Sequence, residues 1–219
     1  KLVYLLSIRP SPRRRFFDNI KYMMENITIS NPDKLEKSKK AISDGGAEKL
    51  HVLSDFDKTL TTAFVDGKSI PSLISILRDG NYLTPDYAEK ANELYSKYHP
   101  IEVNPRISKE EKKKAKKAMH EWWNAHFDLL IKSGLNKKDL EKVVETAKTK
   151  FKFRDGFKEF IDFLRQRDIP LVIMSASGLG GDSIAMYLEK EGKLFKNIHI
   201  ISNSYEWDET GNAIAAREP

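Results

Sequence analysis

The sequence contains no cysteine. Disulfide scaffolds, thiolate metal sites and cysteine nucleophiles are therefore excluded. Long apolar runs are lacking too. The longest near the amino terminus is Leu2 to Leu6, against the ~20 residues that a spanning helix needs, so no membrane partner is expected. Glycine and proline number only 11 and 9 in 219 residues, with 40% hydrophobic and 32% charged residues. Collagen-like, low-complexity and wholly disordered chains are excluded on that composition. What is present suffices for an unstapled core, since a chain of this length buries roughly 70% of its unfolded surface.

Acidic residues are absent before Asp18, while Arg9, Arg13, Arg14 and Arg15 crowd the same stretch. Residues 1–25 read as a leader, poorly ordered and solvated. The formal charge is +6, which raises a polyanion partner for consideration. Its distribution argues against one. Residues 106–117 hold seven basic residues against Glu110 and Glu111, a local excess of +5. That run reads as the solvated start of a helix rather than a base-reading surface, so nucleic acid is not expected as a partner.

Punctuation and periodicity divide the rest. SNPDKLEKSKKAISDGG is a capped helix, with Asn31 or Ser30 as cap, Pro32 in the first turn and Gly45-Gly46 as terminator. Leu50 to Phe56 is a short apolar run of buried-strand type. About 90 residues of helical period follow. Their apolar stripes are Ala91, Leu94, Tyr95 and Tyr98; Met119, Trp122, Trp123, Leu130 and Ile131; and Leu140, Val143, Val144 and Ala147. Phe157, Phe160, Ile161 and Leu164 mark another helix, Ile169 to Met174 a second buried strand, and GGDSIAMYLEKEG a helix with Asp182 or Ser183 near its cap. Asn197 to Ser202 is a third strand, and YEWDETGNAI a hairpin. Strands alternating with helices on both sides of a helical block define an α/β sheet with a cap.

Chemistry concentrates at two strand ends. In LHVLSDFDKTLTT, Asp55 and Asp57 stand at i and i+2 where an apolar strand stops, the place where open α/β sheets bind ligands. Two like charges so close call for a cation or a proton, and a hard divalent cation such as magnesium suits oxygen ligands. One carboxylate can attack phosphorus, and a second can protonate the leaving oxygen and later activate water. Thr59 is placed to hydrogen-bond this machinery. In PLVIMSASG, a strand runs into Ser175, Ala176, Ser177 and Gly178, where a hydroxyl and backbone amides can close on a phosphate.

DFDKTLT followed by a strand ending in SASG resembles the haloacid dehalogenase-like phosphohydrolases. From near Asn31 onward the resemblance takes in KYHPIEVNP, EWW (Glu121 to Trp123), FKFRDGF and ISNSYEWDETG, and the IEVNP and WDETG segments narrow it to the cytosolic pyrimidine 5′-nucleotidases of type III. That resemblance implies an α/β, Rossmann-like parallel-sheet core over 26–60 and 151–219, with an α-helical cap inserted at 61–150. It implies a cytoplasmic, magnesium-dependent hydrolase that converts nucleoside 5′-monophosphates, pyrimidine ones among them, to nucleoside and phosphate through an aspartyl-phosphate. Asp55 would be nucleophile and metal ligand, and Asp57 general acid/base, giving the metal its backbone carbonyl. Ser175 and Ala176 would bind phosphate. Glu102 would meet the nucleobase, flanked by Trp122, Trp123 and His126. The family pattern continues after the WDETG hairpin with a lysine and a GDS-type acidic loop. Neither follows that hairpin within these 219 residues, so the chain is expected to be truncated and nearly inactive alone. The competing expectations are a non-catalytic nucleotide- or protein-binding module, and a related phosphatase acting on another phosphomonoester.

Overall fold

The computed structural model describes residues 28–104 and 109–219. The leader expected over residues 1–25 lies outside the described residues, as do 105–108 at the head of the basic run. The chain forms two compact units, Lys1–His51 and Val52–Pro219.

In the first unit the capped helix forms as expected: α1 spans Pro32–Gly45. Asn31 Oδ1 accepts from the Lys34 amide at 2.9 Å, satisfying one of the amides that a helix start leaves open. Gly46, at φ 73°, turns the chain out of the helix, a conformation in which a side chain is strained. A 3₁₀ turn over Ala47–Lys49 follows.

The second unit is built on three parallel strands in the order β1-β4-β5. β1 is Val52–Ser54, β4 is Leu171–Ser175 and β5 is Ile198–Ser202. β1 is shorter than the Leu50–Phe56 run expected of it. The reason is local: the Phe56 carbonyl accepts from the amides of Thr59, Leu60 and Thr61 at 3.0–3.3 Å, so the chain curls into a turn directly after Ser54. The strands are also not covered on both faces. Leu171, Ile173 and Ser175 are buried, but Leu53, Met174 and Ile201 are 55%, 51% and 40% exposed. Helix α7 (Gly180–Lys190) covers the first face, where a Cβ at Gly181 would lie 3.2 Å from Ile200 Cγ2. Among the described residues the second face stays open, unusually for a parallel sheet.

Between β1 and β4 comes the helical block. It opens with a hairpin that periodicity missed, β2 (Phe64–Val65) against β3 (Lys68–Ser69). Asp66 and Gly67 both take positive φ there, 50° and 75°, the Asp-Gly turn that matches strand twist. Then come α2 (Leu73–Asp79), α3 (Tyr87–Glu102), α4 (Lys109–Lys132) and α5 (Lys137–Lys150). α3 packs on α4, and α2 on α5. Leu140, Val143, Val144 and Ala147 are fully buried, as their stripe requires. α5 starts with a capping box, Asn136 accepting from Lys138 and Asp139 accepting from the Asn136 amide. Lys112 to Lys114, Lys116 and Lys117 are exposed, the solvated helix face expected of them.

Helix α6 (Phe157–Gln166) buries Phe157, Ile161 and Leu164. β6 (Ser204–Trp207) and β7 (Ala213–Arg217) form the expected hairpin. In α7 neither Asp182 nor Ser183 caps the amino terminus. Ser183 Oγ donates to the Gly180 carbonyl, and Asp182 instead accepts from Trp207 Nε1 at 2.9 Å, tying α7 to the hairpin.

Candidate active site

The DFD segment is a turn held from three sides. Phe56, between the two acids, is fully buried and meets Tyr187 edge-on at 6.1 Å. Tyr187 also packs against Phe151 and Phe153. Burying Phe56 turns its neighbours outward: Asp55 is exposed and Asp57 partly buried. Thr59 Oγ1 donates to Asp55 Oδ2 at 2.9 Å, the role open to it from the sequence. Lys58 takes φ 60°, and its amide donates to Thr61 Oγ1 at 2.8 Å. Arg154 closes the turn from outside. Its Nε donates to the Thr59 carbonyl at 2.8 Å and its Nη2 to the Lys58 carbonyl at 2.7 Å. The FKFRDGF segment therefore carries a clamp for the acid turn, a role that sequence spacing gave no means of assigning.

Asp57 is electrostatically stressed. Burial, and then the neighbouring Asp55 charge, push its carboxyl up from 3.8 to about 6, while Lys58 pulls in the other direction. An acid pair in this condition gains from a cation beside it. The Asp55 carboxylate, the Asp57 backbone carbonyl and a substrate phosphate offer oxygens of the kind that magnesium takes, and magnesium keeps much of its water. Among the described residues no group of three or more His, Cys, Asp or Glu side chains gathers.

Ser54 pairs with Ile173 across the sheet, so the acid turn and the loop after Ser175 leave the same end of adjacent parallel strands. Ser175 is buried and Ala176 exposed. The loop beyond them is anchored at its carbonyls. Asn203 Nδ2 donates to Ser177 O at 3.2 Å, and Tyr205 Oη to Gly178 O at 2.7 Å. From α4, His126 Nε2 donates to the same Gly178 oxygen at 3.1 Å. That acceptor fixes the tautomer, and burial lowers the ring's proton affinity, so His126 serves as a neutral donor. Its bond ties the helical block to the serine loop. A Cβ at Gly178 would sit 2.6 Å from His126 Nε2. We expect Gly178→Ala to break this bond and lower stability by about 1–2 kcal/mol. In a His126→Ala background the same change should cost at least ~0.5 kcal/mol less, the coupling that a double-mutant cycle read by urea unfolding checks.

A cavity of about 270 Å³ opens beside this loop. Glu102, Trp122, Trp123, His126 and Ala176 all line it. Five of the residues singled out from the sequence thus meet at one place, although Ser175, Asp55 and Asp57 are not among its lining. Glu102 occupies the last position of α3, which runs on through Pro100. Trp122 stacks on Tyr98 at 5.9 Å, and Trp123 lies 5.4 Å from Phe127, so each packs the helical block while presenting a surface to the cavity. Arg78, Tyr87, Tyr95 and Met119 also line it. Sequence reading missed Arg78 and Tyr87 as site residues and took Tyr95 and Met119 as positions of packing stripes.

An acid turn and a serine loop at one end of a parallel α/β sheet, interrupted by a helical block, define a haloacid dehalogenase-like fold. Residues 58–218 match the family model described as Pyrimidine 5′-nucleotidase (UMPH-1), and the chain belongs to that family. It is 30% identical over 185 residues to the 7-methylguanosine phosphate-specific 5′-nucleotidase of Gallus gallus, a match covering 84% of this chain and 62% of the relative. The Mus musculus protein of the same name is 33% identical over 190 residues, covering 86% and 61%. The chain therefore spans about three-fifths of the length of these curated relatives. A crystal structure of cytosolic 5′-nucleotidase IIIB bound to cytidine superposes with a TM-score of 0.75 at 24% identity, covering 94% of this chain and 67% of that one. Among the described residues, no helix is long and apolar enough to cross a membrane.

Proposed function

We propose that this chain carries the catalytic acid pair and the base pocket of a magnesium-dependent 5′-nucleotidase. In this reading it hydrolyses nucleoside 5′-monophosphates, with pyrimidine nucleotides as substrates, through an aspartyl-phosphate. The observation that carries the reading is the juxtaposition at one sheet end of a clamped acid turn, a serine loop and an aromatic cavity that shares Ala176 with that loop. The family membership supports the reaction class, and the nucleoside in the related crystal structure supports a base in the cavity. Residues 61–150 are read as a cap over the core, and the site as a cytoplasmic one.

The residues divide the reaction as follows. Asp55, oriented by Thr59, attacks phosphorus with one carboxylate oxygen. The P–O5′ bond breaks, and Asp57, which retains its proton to about pH 6 in the metal-free site, hands that proton to the departing O5′. Water then attacks the phosphorus of the aspartyl-phosphate. Asp57 takes up the water's proton, the bond to Asp55 breaks and phosphate leaves. Ser175 Oγ and the Ala176 amide hold the non-bridging oxygens meanwhile. Magnesium, held by the Asp55 carboxylate and the Asp57 backbone carbonyl, would neutralise charge on the phosphate. Trp122 and Trp123 offer flat faces to the base, Glu102 an acceptor for an exocyclic amine, and His126 keeps the serine loop in register with α4.

The test is phosphate release from CMP, UMP and a panel of other phosphomonoesters by the protein at its natural full length, with magnesium and with EDTA. Release from the nucleotides that EDTA suppresses at least 100-fold is expected. Equal activity in EDTA, or a preference for non-nucleotide phosphomonoesters, would refute the reading.

A further inference from the structure

The cavity beside the serine loop carries a positive charge that its aromatic walls do not call for. Arg78, near the end of α2, lines it with its side chain 18% exposed. Its guanidinium carbon lies 4.9 Å from the centroid of Tyr95, and Tyr95 in turn meets Trp122 edge-on at 6.3 Å. One aromatic face of the pocket is therefore already occupied by the protein's own cation. Among the described residues Arg78 pairs with Asp79, at 3.5 Å and largely exposed, which does not line the cavity. The carboxylate that does line it is Glu102.

A second group points to the same kind of ligand. Tyr87 is 2% exposed and lines the cavity, yet its phenol oxygen has no hydrogen-bond partner. A buried hydroxyl in that state loses free energy; its oxygen is covered in the empty pocket, so a ligand gains this partner when the wall yields around it. Arg78 can only donate, and a phenol readily donates, so together they suit a carbonyl oxygen. Glu102 accepts only. A donor pair and an acceptor in one aromatic slot match a neutral base that bears both a carbonyl and an amino group, as cytosine does. They do not match a base that carries a full positive charge. Such a base gains from aromatic faces and carboxylates, but here it would meet a guanidinium with little water to screen it.

We propose that Arg78, assisted by Tyr87, sets the base specificity of this pocket, accepting a neutral carbonyl-bearing base and turning away a cationic one such as 7-methylguanine. The inference rests on the nucleotidase reading for the identity of the ligand, but its test is binding rather than turnover.

The experiment uses the full-length protein and reads the dissociation constants of cytidine and 7-methylguanosine by quenching of tryptophan fluorescence. Wild type should bind cytidine at least ~10-fold more tightly. Arg78→Gln leaves Glu102 and the aromatic faces unopposed, so the preference should collapse by ~10-fold or more, chiefly through gain of 7-methylguanosine. Arg78→Lys keeps the charge and should keep the exclusion. Tyr87→Phe should weaken cytidine severalfold. Tighter binding of 7-methylguanosine than cytidine by wild type overturns the proposal without any variant. So does an Arg78→Gln ratio within twofold of wild type in a protein that melts normally. If the ratios behave as stated and no phosphate is ever released, the hydrolytic reading fails and the specificity stands. If phosphate is released and the ratios do not move, the specificity alone fails.

Discussion

Asp55→Asn is expected to abolish phosphate release from nucleoside monophosphates, by on the order of 10⁴-fold or more, the scale on which loss of a nucleophile reads in covalent hydrolases. The substitution is nearly isosteric. The amide oxygen can still accept from Thr59 Oγ1, now 2.9 Å from Asp55 Oδ2, so the turn should keep its shape. Asp55 is exposed, so little packing is at stake. What is lost is a nucleophilic carboxylate, which is also the anionic group offered to magnesium. The loss should therefore appear almost wholly in kcat. Cytidine, which has no phosphate, should bind within about twofold of wild type, because none of the cavity's lining residues changes. Steady-state phosphate release, cytidine titration and thermal melting check the three parts. Undiminished turnover would remove Asp55 from the mechanism. A large drop in melting temperature would mean that the acid is structural.

The acid turn and the serine loop were legible because their signal is local. An apolar run that stops at two acids, and another that stops at Ser-Ala-Ser-Gly, identify strand ends without any knowledge of what packs on them. The same is true of α1, whose cap, first-turn proline and terminating Gly-Gly are consecutive. Strand length was less legible, because β1 is ended by the Phe56 carbonyl gathering three amides, a backbone event that composition does not encode. The exposed second face of the sheet was hidden for a similar reason: Leu53, Met174 and Ile201 are apolar whether or not anything covers them. The β2–β3 hairpin did have a signal, the Asp66-Gly67 pair, which the surrounding helical periods obscured. In the cavity, Glu102, Trp122, Trp123 and His126 came from the resemblance, not from periodicity. Arg78 came from neither. It reaches the cavity because α2 packs beside α3, and tertiary placement of this kind leaves no trace in the spacing of one helix. Likewise, nothing in the sequence joins His126 to Gly178, 52 positions away. The missing Cβ explains why a glycine stands there.

Asp57→Asn should lower activity by about 10² to 10⁴-fold, the usual worth of a positioned acid/base, and yet make the metal-free protein more stable at pH 7. The two effects share one cause. Burial and the Asp55 charge raise this carboxyl from 3.8 to about 6 in the fold, whereas in the unfolded chain it ionises near its ordinary value. Between about pH 4 and pH 6 the folded state therefore holds a proton that the unfolded state has released, and stability falls as pH rises through this window. Above it the penalty is complete, about 2 kcal/mol once residual solvent contact is counted. An amide at position 57 carries no charge to desolvate and none to oppose Asp55, so it removes the penalty. In EDTA at pH 7 the variant should gain several degrees in melting temperature, and the gain should vanish as the pH is lowered toward 4, where wild type is protonated in both states. Magnesium should raise the wild-type melting temperature at pH 7 and raise that of the variant less, because the cation relieves the same repulsion that the substitution has already removed. A variant that is less stable than wild type in EDTA at pH 7 would contradict this account of the acid pair. An equal loss of activity with no change in stability would leave Asp57 as a proton carrier whose carboxyl is not strained.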